Sequence, residues 1–405
     1  MSQVSPKPQS PGCGTNVLLD YDLSTSELIS FLLEYEAHKL GLETWRVTPL
    51  IVTFRDDKAE TIMTRACARG VSRTAFAVTM DKSLTKRLFD RGGIPHSPYL
   101  KLKPSQFEEG LKFARGYNFE VVIKPTQSGQ GLGVFTRIED EPTLRACWNK
   151  LAKLLDKMRQ RHLLIEKRAD GSDFRFYVVG RQVMGVLERC PANVTGDGTS
   201  TIDELVAAKN RVRGQNPDLR GRPIKIDGIV RSNLRAKGLG PGSILPQGMT
   251  ILLRDNANIS TGGDSIDRTD EIPARVKQLA VRAMLTVPDL ETSAVDLAAK
   301  NIYDDTRLGP DNIIFHELEG DAAMGMHHFP AVGKPRNLAR AILLTQFPHR
   351  LSQSRDDGDY RHDFDENETL CRRIAEGIVS LRKSDKRVQA RRGWSLRRLV
   401  RAVRG

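Results

Sequence analysis

Several groups of residues in this chain have the types and spacing needed to handle a charged, oxygen-rich ligand. The first is Val121-Val122-Ile123-Lys124-Pro125-Thr126-Gln127-Ser128-Gly129-Gln130-Gly131-Leu132-Gly133-Val134. An apolar run delivers a lysine, a loop of small residues follows, and a second apolar run leads away. Gly129, Gly131 and Gly133 let the backbone come close to an anion, and successive N–H groups form a nest for phosphate oxygens. Lys124 adds a point charge beside Ser128 and the glycines. A strand pattern follows and not a helix, so this is not the dinucleotide-binding fingerprint. A tight hairpin between two strands would use the same glycines.

The second group is acidic. Asp296 lies near the end of a short apolar strand, and Glu317 and Glu319 stand two apart at the end of another, so both leave on one face. Hard oxygens converging from adjacent strand ends suit Mg²⁺ on a triphosphate. Without a cation such crowding is unfavourable; two exposed acids on an edge strand are the alternative. Arg254 and Asn258 occupy a polar loop closed by Gly262-Gly263, where Arg can steady a phosphoryl oxygen and Asn a metal-bound one; as a lone loop it reads as structural. Glu166-Lys167 ends a strand, with Asp173 and Arg175 after it. Such a connector can offer backbone groups to an adenine edge and an acid to ribose, although alone it reads as a solvated charge run. His327 and His328, taken as strand residues, point to opposite faces and do not share one ion, so they are expected to be structural or substrate-lining.

Periodicity places the elements that must carry these groups. Strands are expected at 16–21, 47–54, 119–123, 133–136, 162–167, 293–297 and 312–318, with a hairpin from 174–179 and 182–189. Helices are expected at 26–40, 81–92, 104–117, 141–160, 271–285, 336–345 and 369–381. Residues 210–248, rich in Gly, Pro, Arg and Lys, read as a long loop over the site. The fold class is α/β, and the divisions are a disordered leader (1–14), a small N-terminal α/β domain (15–80), a first lobe (81–165), a second lobe (166–348), a linker with a helix (349–381) and a basic tail (382–405).

Composition excludes some classes. No run of about 18 apolar residues exists to span a membrane as a helix, and the Ser/Pro/Gln-rich start lacks the apolar segment of a secretory signal. Five separated cysteines without CxxC or zinc spacing suggest free thiols and a cytoplasmic location. The net charge is +13, but residues 382–405 hold ten Lys/Arg against one Asp, so +9 of it sits in the tail. That tail can meet an acidic partner or an anionic membrane surface.

Taken in order, the motifs resemble those of the ATP-grasp superfamily, especially the ATP-grasp domain of cyanophycin synthetase and of bifunctional glutathione synthetase. Asp81-Lys82-Ser83-Leu84-Thr85-Lys86 with Gly93-Ile94-Pro95 looks like the family's opening helix, and Glu188 to Ile202, Asn258 to Gly263 and Met326 to Gly333 are similar to further segments. The resemblance implies an ATP-grasp fold with nucleotide between two lobes. Lys82, Lys124 and the 128–133 loop would hold phosphates, Glu166 and Lys167 the adenine, and Asp173 the ribose. Asp296, Glu317 and Glu319 would hold Mg²⁺, or Mn²⁺ in its place. Arg254 and Asn258 would support the transferring phosphoryl, and Arg175 a substrate carboxylate or a phosphate. The implied activity joins a small-molecule or peptide carboxylate to an amine through an acyl-phosphate, in a chain with room to form a homo-oligomer. An ATP-grasp-like kinase and an inactive nucleotide-binding module with a basic interaction tail are the rival readings. The family's metal strand usually ends Glu-x-Asn with Pro-Gly soon after; here it reads Glu317-Leu318-Glu319. Cyanophycin synthetase continues into a Mur-ligase-like half where this sequence stops, so a stand-alone ligase is expected.

Overall fold

The computed structural model describes residues 16–67, 70–129, 131–353 and 363–402, and the side chains among them other than 16, 352–353 and 386–402. The chain opens with α1 (Asn16–Leu19) and α2 (Thr25–Lys39), then an antiparallel sheet of β1 (Glu43–Arg46), β2 (Ile51–Arg55) and β3 (Glu60–Thr64). α2 starts where the Ser24 side chain accepts from Glu27 N while the Glu27 carboxylate accepts from Ser24 N, so two end donors are satisfied reciprocally. α3 (Arg73–Met80) and α4 (Lys82–Gly92) follow. Asp81 caps α4, and Gly93 ends it in the left-handed region at φ 62° that a side chain would resist.

The first lobe contains β4 (Tyr99–Leu102), α5 (Phe107–Gly116), β5 (Val121–Pro125), α6 (Glu141–Lys157) and β6 (Leu163–Lys167). Its antiparallel sheet runs β4-β6-β5, and Trp148, Leu111, Ile123 and Leu144 fill the core under it. The second lobe is built on β7 (Ser172–Val179) and β8 (Gln182–Cys190). After these come β9 (Asn193–Thr195), α7 (Ile202–Gly214), α8 (Gly228–Arg235), β10 (Thr250–Leu252), β11 (Asp264–Asp267), α9 (Ala274–Leu285), β12 (Thr292–Ala299) and β13 (Ile313–Glu319). The large sheet is antiparallel throughout, in the order β11-β8-β7-β12-β13. Phe174, Phe176 and Val178 leave one face of β7 to pack with Val276 and Ala283 of α9. Tyr177 and Val179, on the other face, join the core around α2.

The chain closes with α10 (Gly325–His328), α11 (Leu338–Gln346) and α12 (Glu368–Ala402). The segment before α12 returns to α2: the Phe364 ring sits 4.7 Å from Tyr35, whose hydroxyl donates to Asp363 at 2.6 Å. Among the described residues, no helix is long and apolar enough to cross a membrane. The basic stretch 386–402 continues α12 in backbone; its side chains and the leader lie outside the described residues.

Four expectations are corrected. Residues 16–21 begin as helix α1, a run too short for periodicity to decide between helix and strand. The 47–54 strand starts only at Ile51, because Thr48 Oγ1 accepts from Leu50 N and Ile51 N and holds a turn around Pro49. No strand forms at 133–136; a single bridge joins Phe135 to Ile123, since Gly131 and Gly133 (both φ 74°) turn the chain out of a ladder. The 210–248 stretch is not one loop. α8 stands in it, capped by Asp227 and anchored by the i,i+4 pair Val230 and Leu234. With Val194, Ile202, Val206 and Ile251 these residues form a separate small core.

A glycine in α5 gives a test of the first-lobe core. Helical Gly→Ala ordinarily stabilises by about 1 kcal/mol. A Cβ on Gly110 would lie 2.6 Å from the Trp148 ring, which its indole N–H pins to Pro104 O at 2.9 Å. Gly110→Ala is therefore expected to destabilise by about 1–3 kcal/mol, read from the denaturant midpoint; a raised midpoint would contradict this packing.

Candidate active site between the two sheets

α4 brings two lysines into the interior. Lys82 and Lys86 are four residues apart and share one helix face. Lys82 Nζ donates to Ser128 O at 2.7 Å and pairs with Glu317 at 2.8 Å, so one ammonium bridges the glycine loop and the acidic strand. Burial works against its charge, but Glu317, with Glu319 and Glu166 behind it, outweighs burial and raises its pKa. Lys124, on fully buried β5, donates to Glu166 at 2.5 Å, and Lys86 approaches the other oxygen of Glu166 at 3.1 Å. Burial opposes ionisation of Glu166, yet Lys124 and Lys86 hold it well below the usual carboxylate range. Lys167 alternates outward and its ammonium lies 5.8 Å from the Tyr117 ring, so its side chain does not join this cluster.

The large sheet supplies the acids. Asp296 is opposite Arg175 on one side and Glu317 on the other. Asp296, Glu317 and Glu319 each place one oxygen within 4.8 Å of the others. Three carboxylates at that spacing fit a hard divalent cation. Arg175 grips Asp296 through two 2.8 Å bonds and reaches Glu319 at 3.1 Å, while Arg189 adds a third bond to Asp296 at 2.8 Å. Burial disfavours the Asp296 carboxylate, but the two guanidinium groups hold it well below its ordinary range. Burial disfavours Glu317 too, and Lys82 holds it down. For Glu319 burial prevails over Arg175, and its pKa rises.

Some site residues were not legible as such. Asp296 faces Glu317 but Leu297 faces Phe315, so His316 is the extra residue of a bulge. It lies 4.0 Å from Asp173, and burial lowers its pKa. Asp173 also faces Arg189, 3.8 Å away. Lys86 had a signal, its i,i+4 spacing from Lys82; Arg189 and His316 needed the strand register. Arg254 is turned to Asp227, the cap of α8. Asn258 meets the glycine loop: a Cβ on Gly131 would fall 2.3 Å from its Nδ2. Gly133 is equally tight against Leu154 and Pro125, while Gly129 faces open space.

His327 and His328 lie in helix α10 and not on a strand, and both are fully buried. His328 Nε2 accepts from Ala339 N at 3.2 Å. His327 stacks edge-on to Tyr177 at 5.5 Å, and its two ring nitrogens have no hydrogen-bond partner among the described residues.

This mixed α/β arrangement, with basic and acidic clusters meeting between two antiparallel sheets, has the fold class of the ATP-grasp ligases. No family model matches the chain. It is 34% identical over 272 residues to the glutathione biosynthesis bifunctional protein of Desulfotalea psychrophila, covering 65% of this chain and 33% of that protein. It is 33% identical over 279 residues to the cyanophycin synthetase of Trichormus variabilis, covering 67% and 29%. The chain thus spans about a third of the length of these relatives. Among solved structures, a bifunctional glutathione synthetase from Pasteurella multocida matches with a TM-score of 0.62 and 26% identity, over 82% of this chain and 46% of that one. The resemblance carried by the motifs therefore holds in sequence and in fold.

Burial, reinforced by Arg175, pushes the His327 imidazole down to about 3. An unfolded imidazole takes up its proton near pH 6.5. Between those values the unfolded chain binds the extra proton, so this group's contribution to stability is present above pH 6.5 and falls as the pH drops toward 3. His327→Gln is expected to make stability fall less steeply between pH 6.5 and 4.5, by about one proton or roughly 1.4 kcal/mol per pH unit. Unfolding free energies across that range check this; identical slopes would mean that the folded histidine is already protonated.

Proposed function

We propose that this chain is an ATP- and Mg²⁺-dependent carboxylate–amine ligase that forms an amide through an acyl-phosphate, on amino-acid or peptide substrates. The observation that carries the reading is Lys82, which reaches the glycine loop at Ser128 and the acidic trio at Glu317 with one ammonium. A phosphate chain laid along that line would meet Lys82, Lys124 and the loop N–H groups at one side and a cation held by Asp296, Glu317 and Glu319 at the other. The names of the relatives, which concern glutathione biosynthesis and cyanophycin synthesis, support amino-acid or peptide substrates.

In the proposed reaction a substrate carboxylate oxygen bonds to the γ-phosphorus of ATP as the bond to ADP breaks. The amine then attacks the acyl carbon, phosphate leaves with the bonding pair, and the amine proton passes to solvent. Mg²⁺, or Mn²⁺ in its place, would supply charge neutralisation at the phosphates. The backbone at Glu166 and Lys167 is assigned to adenine, Asp173 to ribose, Arg254 and Asn258 to the transferring phosphoryl, and Arg175 to a substrate carboxylate or phosphate. The reading places the reaction in the cytoplasm, where ATP is supplied, allows assembly as a homo-oligomer, and sets the basic stretch 382–405 against an acidic partner or membrane surface.

Purified protein with ATP, Mg²⁺ and a panel of amino acids is expected to release phosphate and yield an amide detectable by mass. A stable phosphoester would identify a kinase, and nucleotide binding without turnover would overturn the ligase reading. Glu317→Gln and Lys124→Ala are each expected to lower turnover by roughly 10²-fold or more, the scale of losing one preorganised charge. Glu319→Asn keeps an oxygen ligand and is expected to retain activity; its complete loss in a folded protein would sink the assignment of that strand.

A further inference from the structure

Lys86 is the most deeply buried charged side chain of the site, with 0% side-chain exposure. Among the described residues, Glu166 is the only carboxylate within ion-pair distance of it, at 3.1 Å. Glu166 is also the only one within reach of Lys124, at 2.5 Å. One carboxylate thus serves two ammonium groups. They differ in access: Lys124 keeps 9% of its side chain exposed, and Lys86 none. Lys86 is enclosed further by Tyr99, whose ring centre is 5.7 Å from Nζ and which faces Glu166 across β4 and β6. Lys124 can turn to an anion entering between the sheets; Lys86 cannot leave its place without opening the helix packing.

Resting on the ligase reading, we propose that Lys86 is a positioning residue, the permanent counterion of Glu166 that releases Lys124 to bind nucleotide phosphate. A buried carboxylate left without a cation is strongly unfavourable. If Glu166 had only Lys124, moving that ammonium to a phosphate would strand Glu166, and the pair would hold Lys124 back. With the buried Lys86 ammonium 3.1 Å from the second oxygen, Glu166 stays compensated whichever way Lys124 points.

The test is a binding cycle that needs no turnover: ATP affinity by calorimetry for the parent, Lys86→Met, Lys86→Arg, Glu166→Gln and the Lys86→Met/Glu166→Gln pair. Lys86→Met is expected to weaken ATP binding by roughly ten-fold or more, and Lys86→Arg, which keeps the charge, by much less. In the Glu166→Gln background no carboxylate holds Lys124, so adding Lys86→Met is expected to change affinity little. A role confined to folding would move the melting temperature but would not make the affinity loss depend on Glu166. Should Lys86→Met alone fail to fold, the double variant, which strands no carboxylate, still overturns the proposal if it binds ATP roughly ten-fold or more weaker than Glu166→Gln. An affinity loss of equal size in both backgrounds, or none in the first, overturns the proposal. A parent protein that binds no ATP overturns the ligase reading itself, and this inference with it.

Discussion

Asp296, Glu317 and Glu319 bring carboxylate oxygens within 4.8 Å of one another, and the structure around them answers that crowding. At this separation each pair of charges repels by about 3–4 kcal/mol at an effective dielectric of ~20. The sheet carries the trio because cations are built into the same face: Arg175 on the neighbouring strand, Arg189 on the strand beyond it, and Lys82 from the start of α4. Three acids meet three bases, so their charges balance across the cluster. Exchange is then easier than extraction. A ligand that brings its own cation and anions can take over these partners pair for pair, without leaving a buried charge alone at any stage.

The pairing also explains how separate cores produce one site. The first-lobe core around Trp148 and the second-lobe core around Phe176 and Phe315 have no buried residue in common. Between them lie polar contacts whose placement depends on ordinary local rules. Asp81 caps α4 and thereby fixes where Lys82 and Lys86 begin their shared face. Lys82 N donates to Thr126 O at 3.0 Å, tying that helix to the chain just after Lys124. The bulge at His316 turns the end of β13 so that Glu317 meets Asp296 while Phe315 stays in the core.

The sequence made legible the parts that depend on short-range spacing. Glu317 and Glu319 share a face by strand alternation, and Lys124 before a glycine run predicted a strand feeding a loop. The α4 boundaries followed from Asp81 and Gly92-Gly93. Partnerships across the sheet were not legible, because register is set by which faces are buried. Nothing local in Glu188-Arg189 says that Arg189 lies two strands away from Asp296. Arg254, read as a ligand for phosphoryl oxygen, is paired with Asp227, a partner 27 residues earlier in a helix that its Arg- and Gly-rich surroundings had hidden. Met326 to His328 read as a strand because short apolar runs fit either period.

The small core around Val194, Ile202 and Val230 bears on how the site can open. It buries its own apolar residues and so does not depend on the first lobe for them. Among the described residues, Arg137 pairs with Asp255, both about half exposed, and the Asn258 side chain rests against Gly131. Exposed ion pairs contribute only about 0–1 kcal/mol. The Arg137–Asp255 pair therefore adds far less than the packing of either lobe's core, whose single large side chains are each worth about 3–5 kcal/mol.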